Sequence, residues 1–304
     1  DNVLQVLSNT IGIHNRNRAM IDYLYRYYKG DQPILYREKL VRPEVNNKVV
    51  ENHALETVKF KAGQIYGEPI QYVCKKKKAS KETNAQVDLL NDYLDEANAD
   101  ARNIQLGIYQ SAVGTAYKCI LKNDDWTEGS DLPPFQIFIP YPGDVYIIYS
   151  SRTGRPIASV QILKDEDNEQ YYLLFSSRQY FIVQNGQLKE FGINGFDGIP
   201  INEYPNNPDR LSDIEISITA YDAINKYQSD RLNGVEQFVQ ALMKFKNCEI
   251  DEAEFVKMVK LGAVSVKDVG NGTQSDVDLM TAELNQSESQ VAKDDIYNNM
   301  LIVE

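Results

Sequence analysis

The sequence is poor in the residues that most often build metal centres and catalytic sites. It has two histidines, three cysteines and one tryptophan in 304 residues. The cysteines lie far apart and form no CxxC pair, so we expect neither a disulfide framework nor a structural zinc site, and a reducing compartment fits best. No apolar run approaches the roughly 18 residues of a membrane-spanning helix. No signal peptide is expected at the start of the chain either.

Basic charge is also scarce. The chain carries 32 Lys and Arg against 44 Asp and Glu, a net charge of −12. Because affinity for DNA comes mostly from neutralised phosphates, this balance argues against a protein that wraps nucleic acid with a basic surface. It is compatible with a protein that DNA passes without adhering. The four lysines at 75–78 are more typical of a solvated loop than of a phosphate-binding patch.

Catalytic motifs are missing from the sequence. It contains no phosphate-binding loop, dinucleotide-binding glycine motif, nucleophile elbow or HExxH. His53 near Glu51 and Glu56 is a single imidazole without a second ligand cluster. The acidic runs 165–167 and 294–295 have no catalytic partner. We therefore predict that the protein is not an enzyme and that it holds no cofactor and no metal.

The most informative stretch is 212–246. Ser212 and Glu215 have the spacing of a capping box, and no proline interrupts the apolar residues that follow at helical spacing. The pattern predicts one helix of roughly 50 Å. Its polar residues recur every three or four positions and so form one stripe. That stripe faces solvent in an ordinary surface helix, and a lumen or a neighbouring subunit in a ring.

The part of the chain before residue 212 predicts helices first and then a sheet. Period-two segments separated by turn residues predict an antiparallel meander of about six or seven strands, with Asn185-Gly186 as the clearest hairpin turn. The predicted helices are 12–29, 47–65 (capped by Asn47), 80–97 and 99–113, and a short strand is predicted at 70–74. The predicted meander strands are 115–121, 135–139, 145–149, 156–163, 171–175, 179–183 and 188–191.

Beyond residue 246 the pattern predicts a small acidic unit. A helix at 251–261 and two strands at 263–266 and 277–281 precede a second helix that starts near residue 287. In this layout a long helix leads out, a compact insert follows, and another helix returns. We expect the chain to be a piece of a longer protein, since it begins at Asp1 and ends inside an apolar-periodic run.

In this order the elements resemble the portal proteins of tailed bacteriophages, in the branch common in siphophages and prophages of Gram-positive bacteria. None of the stretches that carry the likeness is a catalytic signature, but together they span nearly the whole chain. They are YLYRYYKGDQPI (23–34), NNKVVENHALETVKFKAGQIYGEPI (46–70), IPYPGDVYIIY (139–149) and IPINEYPNNPDRLSDIEISITAYDAINKYQSDRLNGVEQF (199–238).

The resemblance implies an α+β, portal-like fold and a ring of about twelve subunits at one capsid vertex of the virion. Double-stranded DNA would pass through the channel non-specifically, and the ring would be assembled in the bacterial cytoplasm. The implied partners are the terminase, a head-completion protein and the major capsid or scaffold proteins. The implied parts are a wing at 1–205 (helical to 114, β from 115), a stem helix at 206–246, a clip at 247–283 and the start of a second stem helix at 284–304. The tunnel loop and crown of the family would follow this chain.

Two sets of candidate residues follow from that resemblance. A neutral or acidic lumen repels phosphate within a Debye length of about 8 Å, so DNA should slide past it. The candidate channel-lining residues are Asp222, Lys226, Ser229, Asp230, Asn233 and Gln237. The candidate residues for docking the terminase or connector, in the clip, are Asp251, Glu252, Glu254, Asp268, Asp276 and Asp278.

Other functions stay open at this point. The chain is alternatively a connector or baseplate ring subunit of a phage particle. A different class of function is a metal-dependent hydrolase of nucleic acid that uses the acidic clusters. A third is a binding module, because the sequence has twenty tyrosines.

Overall fold

The computed structural model describes residues 2–40, 43–75, 80–130, 132–239, 242–246, 251, 253, 255–257, 276–280 and 286–303. The chain divides into two compact units. The first comprises Asp1–Gln32, Asn52–Tyr221 and Met300–Glu304, and the second comprises Pro33–Glu51 and Asp222–Asn299.

Four helices open the first unit. Several of them begin or end at residues that favour a helix terminus. Gly30 follows the first helix at φ +94°, where a side chain would be strained. The Ser80 side chain accepts a hydrogen bond from the Thr83 amide and so caps the third helix. The helices are α1 (Asn2–Tyr28), α2 (His53–Tyr66), α3 (Lys81–Glu96) and α4 (Ala99–Val113).

Two antiparallel sheets complete the first unit. The larger is a five-stranded meander in the order β3-β4-β5-β6-β7, and the smaller has the order β2-β1-β8. The Asn185-Gly186 turn between β6 and β7 has positive φ at both residues, 51° and 72°, as a two-residue hairpin turn requires. The strands are β1 (Thr115–Lys122), β2 (Phe135–Phe138), β3 (Val145–Tyr149), β4 (Pro156–Lys164), β5 (Gln170–Ser176), β6 (Gln179–Gln184), β7 (Gln187–Ile193) and β8 (Ile201–Pro205).

Apolar packing joins the sheets and helices of the first unit. Leu7 of α1 packs on Val160 and Leu174 of the meander. Leu106 of α4 packs on the three-stranded sheet beside Ala116. A third cluster, which includes Ile201, contains buried residues of both sheets. The α+β class predicted from the sequence is therefore confirmed.

The long helix, α5 (Asp213–Val239), begins as the sequence predicts. Ser212 Oγ accepts hydrogen bonds from the amides of Ile214 and Glu215, both at 3.1 Å, and Glu215 Oε2 accepts from the Ser212 amide at 3.4 Å. The capping box is thus confirmed. The residues of α5 up to Tyr221 belong to the first unit and the residues from Asp222 belong to the second.

The predicted end of this helix is wrong. Residues 242–246 form a strand, β9 (Leu242–Lys246), which pairs with β10 (Asp276–Met280). From Met243 to Lys246, apolar and basic residues alternate with a period of two, and the register places Lys244 opposite Asp278. A last helix, α6 (Gln286–Val303), follows near the predicted start.

Other sequence predictions need correction or fall outside the described residues. The meander is divided between two sheets, and β8 was not predicted. The second helix is capped by Asn52 and not by Asn47, because residues 47–52 are not helical. Of the predicted helix 251–261, residues 253 and 255–257 are described and helical. The predicted strand 263–266 lies outside the described residues.

The predicted strand 70–74 is also wrong, since these residues form no regular element. The Tyr72 amide donates to Asn91 Oδ1 at 3.0 Å, and Asn91 Nδ2 donates to the Tyr72 carbonyl at the same distance. The backbone at Tyr72 is therefore paired with a side chain of α3 and not with a neighbouring strand.

Candidate functional site

In the second unit, side chains of α5 hold an extended stretch of backbone. The amide of Asn47 donates to Asn233 Oδ1 at 2.7 Å. The amide of Val49 donates to Ser229 Oγ at 2.9 Å, and the amide of Glu51 donates to Asn225 Oδ1 at 2.9 Å. We call this arrangement, residues 47–51 together with Asn225, Ser229 and Asn233, the polar zipper.

The spacing of the zipper follows from the geometry of its two partners. Every second amide of an extended chain points to the same side, and two residues advance it by about 6.6 Å. Every fourth side chain of a helix lies on the same face, and four residues advance it by about 6 Å. The two repeats nearly match, so three alternate amides meet three side chains spaced four residues apart, in antiparallel order.

The three helix side chains of the zipper are buried. Asn225 is 2% exposed, Ser229 is 0% exposed and Asn233 is 3% exposed. Ser229 Oγ also donates to the carbonyl of Asn225 at 2.7 Å. Buried polar groups are stable when they are paired, and here each one pairs with an amide of the extended segment.

A second set of contacts fixes the start of the segment. Asn47 Nδ2 donates to Asn233 Oδ1 at 3.1 Å and to Glu236 Oε2 at 2.7 Å. Arg37 Nη1 lies 2.8 Å from Asp230 Oδ1, and Arg37 Nη2 donates to the carbonyl of Asn47 at 2.9 Å. Arg37 therefore connects the helix and the segment through one guanidinium group.

Helix α6 also contributes to this part of the second unit. Lys293 Nζ lies 2.6 Å from Glu51 Oε1, and both side chains are less than one-fifth exposed, at 18% and 19%. Arg231 Nη1 donates to Gln290 Oε1 at 2.7 Å. The segment that ends at Glu51 is thus held by α5 through its backbone and by α6 through an ion pair.

These contacts correct part of the predicted channel-lining set. Ser229 and Asn233 are buried within the chain, so neither side chain is available to a lumen in this structure. Lys226 is exposed, Asp222 is half-buried, and Asp230 keeps 46% of its side chain exposed beside Arg37. The side chain of Gln237 lies outside the described residues.

The exposed face of α5 in the second unit is partly apolar. Tyr227 is 41% exposed, Leu232 is 42% exposed and Val235 is 39% exposed. Helical spacing alone does not predict this arrangement, because it leads one to expect the polar residues of the helix to face solvent, a lumen or a neighbouring subunit. The available signal was that Asn225, Ser229 and Asn233 are small and uncharged at a strict four-residue spacing, which favours side chains that bond to backbone over a solvated face.

The predicted docking residues are only partly described. Asp251 is exposed, and Asp276 and Asp278 lie in β10, where the register places a lysine of β9 opposite each of them. Glu252, Glu254 and Asp268 lie outside the described residues.

Each of the two histidines has a partner within the protein. His53 Nδ1 lies 2.9 Å from Glu56 Oε2, one helical turn away on α2. His14 is buried, with Nε2 2.8 Å from the Gly143 carbonyl, and burial lowers its pKa. Among the described residues, no three His, Cys, Asp or Glu side chains come close enough to hold a metal ion. No helix in the described part of the chain is long and apolar enough to cross a membrane.

A comparison with solved structures finds the same fold in a chain of a virus-like particle. This chain is similar to a chain of the solved "Virion of native gene transfer agent (GTA) particle", with a TM-score of 0.50 and 11% sequence identity. The match covers 93% of this chain and 67% of that chain. At this identity the likeness shows a shared fold alone. No curated protein matches the sequence.

The family itself is shown by sequence. The model of the family described as "Phage portal protein, SPP1 Gp6-like" matches residues 7–304. The chain therefore belongs to this family of phage portal proteins, as the resemblance indicated. The family is a structural one, without enzymatic activity.

Proposed function

We propose that the protein forms a ring-shaped channel at one capsid vertex, through which double-stranded DNA is packaged and later released. The observation that carries this proposal is the family match over residues 7–304. The likeness to a chain of a virion particle supports a place in the virion. The family match favours the portal over the baseplate, hydrolase and binding-module alternatives.

The proposed parts follow the order of the elements. Residues 1–205 form the wing, and α5 forms the first stem helix, which ends at Val239 and not at 246. The clip begins after α5, so it includes β9 and β10. Helix α6 is the start of the second stem helix. The terminase and the head-completion protein dock on the clip, and the major capsid and scaffold proteins surround the ring. The Gram-positive host branch remains a prediction.

The exposed apolar face of α5 is the proposed contact with a neighbouring subunit. In a closed ring, each subunit uses two different surfaces, so a face that is left uncovered in one chain is covered by the next. Tyr227, Leu232 and Val235 each leave about 40% of their surface in water. Covering such side chains is favourable by about 25 cal/mol per Å² of apolar area.

The channel surface is proposed on the exposed charged positions that remain. Lys226 and Asp230 differ in sign, and Asp222 adds one negative charge. A surface of this kind offers DNA no net positive charge, in keeping with the chain's net charge of −12. DNA is therefore expected to pass with weak, salt-insensitive contact.

A matched pair of variants tests the subunit contact. Leu232→Asp places a charge on the proposed interface, and Leu188→Asp places the same charge on β7 at a site of equal exposure, 43% against 42%. By negative-stain electron microscopy and light scattering, we expect Leu232→Asp to abolish rings and Leu188→Asp to retain them. Equal ring formation by both variants would contradict the assignment of this face.

A further inference from the structure

The loop that leads into α5 contains two successive signals for starting a helix. Asn207 is followed by Pro208 and Asp209, which is the order of a capping residue, a first-turn proline and a first-turn acid. Ser212 and Glu215 then form the capping box at which α5 begins. The helix uses the second signal and leaves the first unused.

One residue between the two signals blocks a continuous helix. Arg210 has φ +58°, in the left-handed region. The other non-glycine residues with positive φ in the described chain are all asparagines, which tolerate this region. For an arginine the left-handed backbone is disfavoured roughly 5- to 30-fold. Contacts around Arg210 must offset this cost.

The contacts that hold Arg210 come mainly from Glu203 on β8. Arg210 Nε lies 2.6 Å from Glu203 Oε1, and Nη2 lies 2.9 Å from Oε2. The Glu203 side chain is only 5% exposed, and it also accepts hydrogen bonds from Thr115 and Tyr149. A two-pronged bond to a carboxylate fixed on a sheet defines both the position and the direction of the guanidinium.

The backbone of the loop is held as well. Asn207 Oδ1 accepts from the Leu211 amide at 2.9 Å, and Asn206 Nδ2 donates to the Leu211 carbonyl at 3.1 Å. A Cβ at Gly114 would lie 2.0 Å from the Arg210 carbonyl oxygen, so only glycine admits the loop in this position.

We propose that the start of α5 is a conformational switch, with Arg210 as its hinge and the Glu203 carboxylate as its latch. In the observed state the latch is closed and the helix begins at Asp213. When the latch opens, Arg210 turns right-handed and the helix begins at Pro208. It then gains residues 208–212, a length of about 7.5 Å. This switch is a property of a single chain and does not depend on the proposed channel.

Two substitutions of Arg210 test the hinge. Both Arg210→Ala and Arg210→Gly remove the ion pair, but alanine favours the right-handed backbone whereas glycine accepts the left-handed one. Hydrogen–deuterium exchange of peptides that cover 206–216 reports the new helix turn through the amides of Ser212 and Asp213. We expect these amides to exchange about tenfold more slowly in Arg210→Ala than in Arg210→Gly. Equal exchange in the two variants, or faster exchange in Arg210→Ala, would overturn the proposal.

A second arm tests the latch without altering the hinge. Glu203→Gln keeps the size of the side chain and removes its charge. Glu190→Gln is the matched control, since Glu190 accepts from Tyr180 on the exposed edge of the meander. We expect slower exchange at Ser212 and Asp213 in Glu203→Gln alone. Exchange in Glu203→Gln that equals the control, or exceeds it, would also overturn the proposal. This arm decides the matter if Arg210→Ala does not fold.

Discussion

Replacing Ser229 by alanine should release the middle of the polar zipper. The change removes the acceptor of the Val49 amide, 2.9 Å away, and the bond from Ser229 Oγ to the Asn225 carbonyl. Leaving such a group without its partner costs about 1–3 kcal/mol. Alanine returns about 0.5 kcal/mol through its higher helix propensity. We therefore expect the opening free energy of residues 47–51 to fall by about 0.5–2.5 kcal/mol, a 2- to 70-fold rise in local opening.

Amide hydrogen exchange of a peptide covering residues 46–52 measures this opening directly. Lys226→Ala is the control, because Lys226 is exposed on the same helix and takes no part in the zipper. We expect faster exchange in Ser229→Ala and wild-type exchange in Lys226→Ala. If Val49 exchanges equally in both variants, Ser229 does not hold the segment. If Ser229→Ala changes DNA passage without changing exchange, Ser229 lines the lumen as the sequence predicted.

Three other predictions concern the first unit. Gly114→Ala should destabilise the protein by more than about 2 kcal/mol in thermal unfolding, whereas Gly129→Ala should cost about 1 kcal/mol, because both have positive φ but only Gly114 meets another atom, the Arg210 carbonyl oxygen. Equal losses would show that close packing at Gly114 is unimportant. Burial opposes ionisation of Glu203, but hydrogen bonds from Arg210 and Tyr149 outweigh it and hold its pKa below the ordinary value. The ionised Glu203 side chain therefore stabilises the fold fully above the ordinary carboxylate pKa, and this stabilisation is lost as the pH falls through the lowered pKa. When stability is measured against decreasing pH, Glu203→Gln should not show this loss. Burial raises the pKa of Cys119 to about 12, so a thiol reagent at mildly alkaline pH should label it only after unfolding; labelling of the native protein would refute this.

The elements predicted well are those whose signals are local. Helix α4 occupies the predicted residues 99–113, and Gly114 ends it with φ +83°. Strand β3 occupies the predicted 145–149, between the turn at Pro142 and the next turn. The capping box of α5 also depends only on neighbouring residues. Such features are specified within a few positions of the chain, so no distant partner is needed to predict them.

The elements predicted wrongly depend on distant partners. The sequence around Asn47 has a capping residue and apolar spacing, but its amides bond to α5 side chains that lie some 180 positions away in the sequence. Residues 242–246 continue a helical pattern, but β10 offers them a strand partner. In both cases a long-range hydrogen-bond partner outweighs local helix propensity.

The same reason explains the outcome for the candidate site. Helical spacing placed Ser229 and Asn233 on one polar stripe but did not include Asn225, and spacing does not state what that face meets. That face is buried because it supplies acceptors to the amides of residues 47, 49 and 51. Leu232 and Val235, on the same helix, remain exposed in the second unit.

The most direct test of the proposed channel is the image of the full-length protein by electron microscopy. We expect rings of about twelve subunits with a central hole wide enough for a DNA duplex. We also expect Leu232→Asp to remove these rings while the protein stays folded. Rings that persist in Leu232→Asp would contradict the assigned subunit contact. A full-length protein that stays monomeric at every concentration and salt condition would contradict the channel itself.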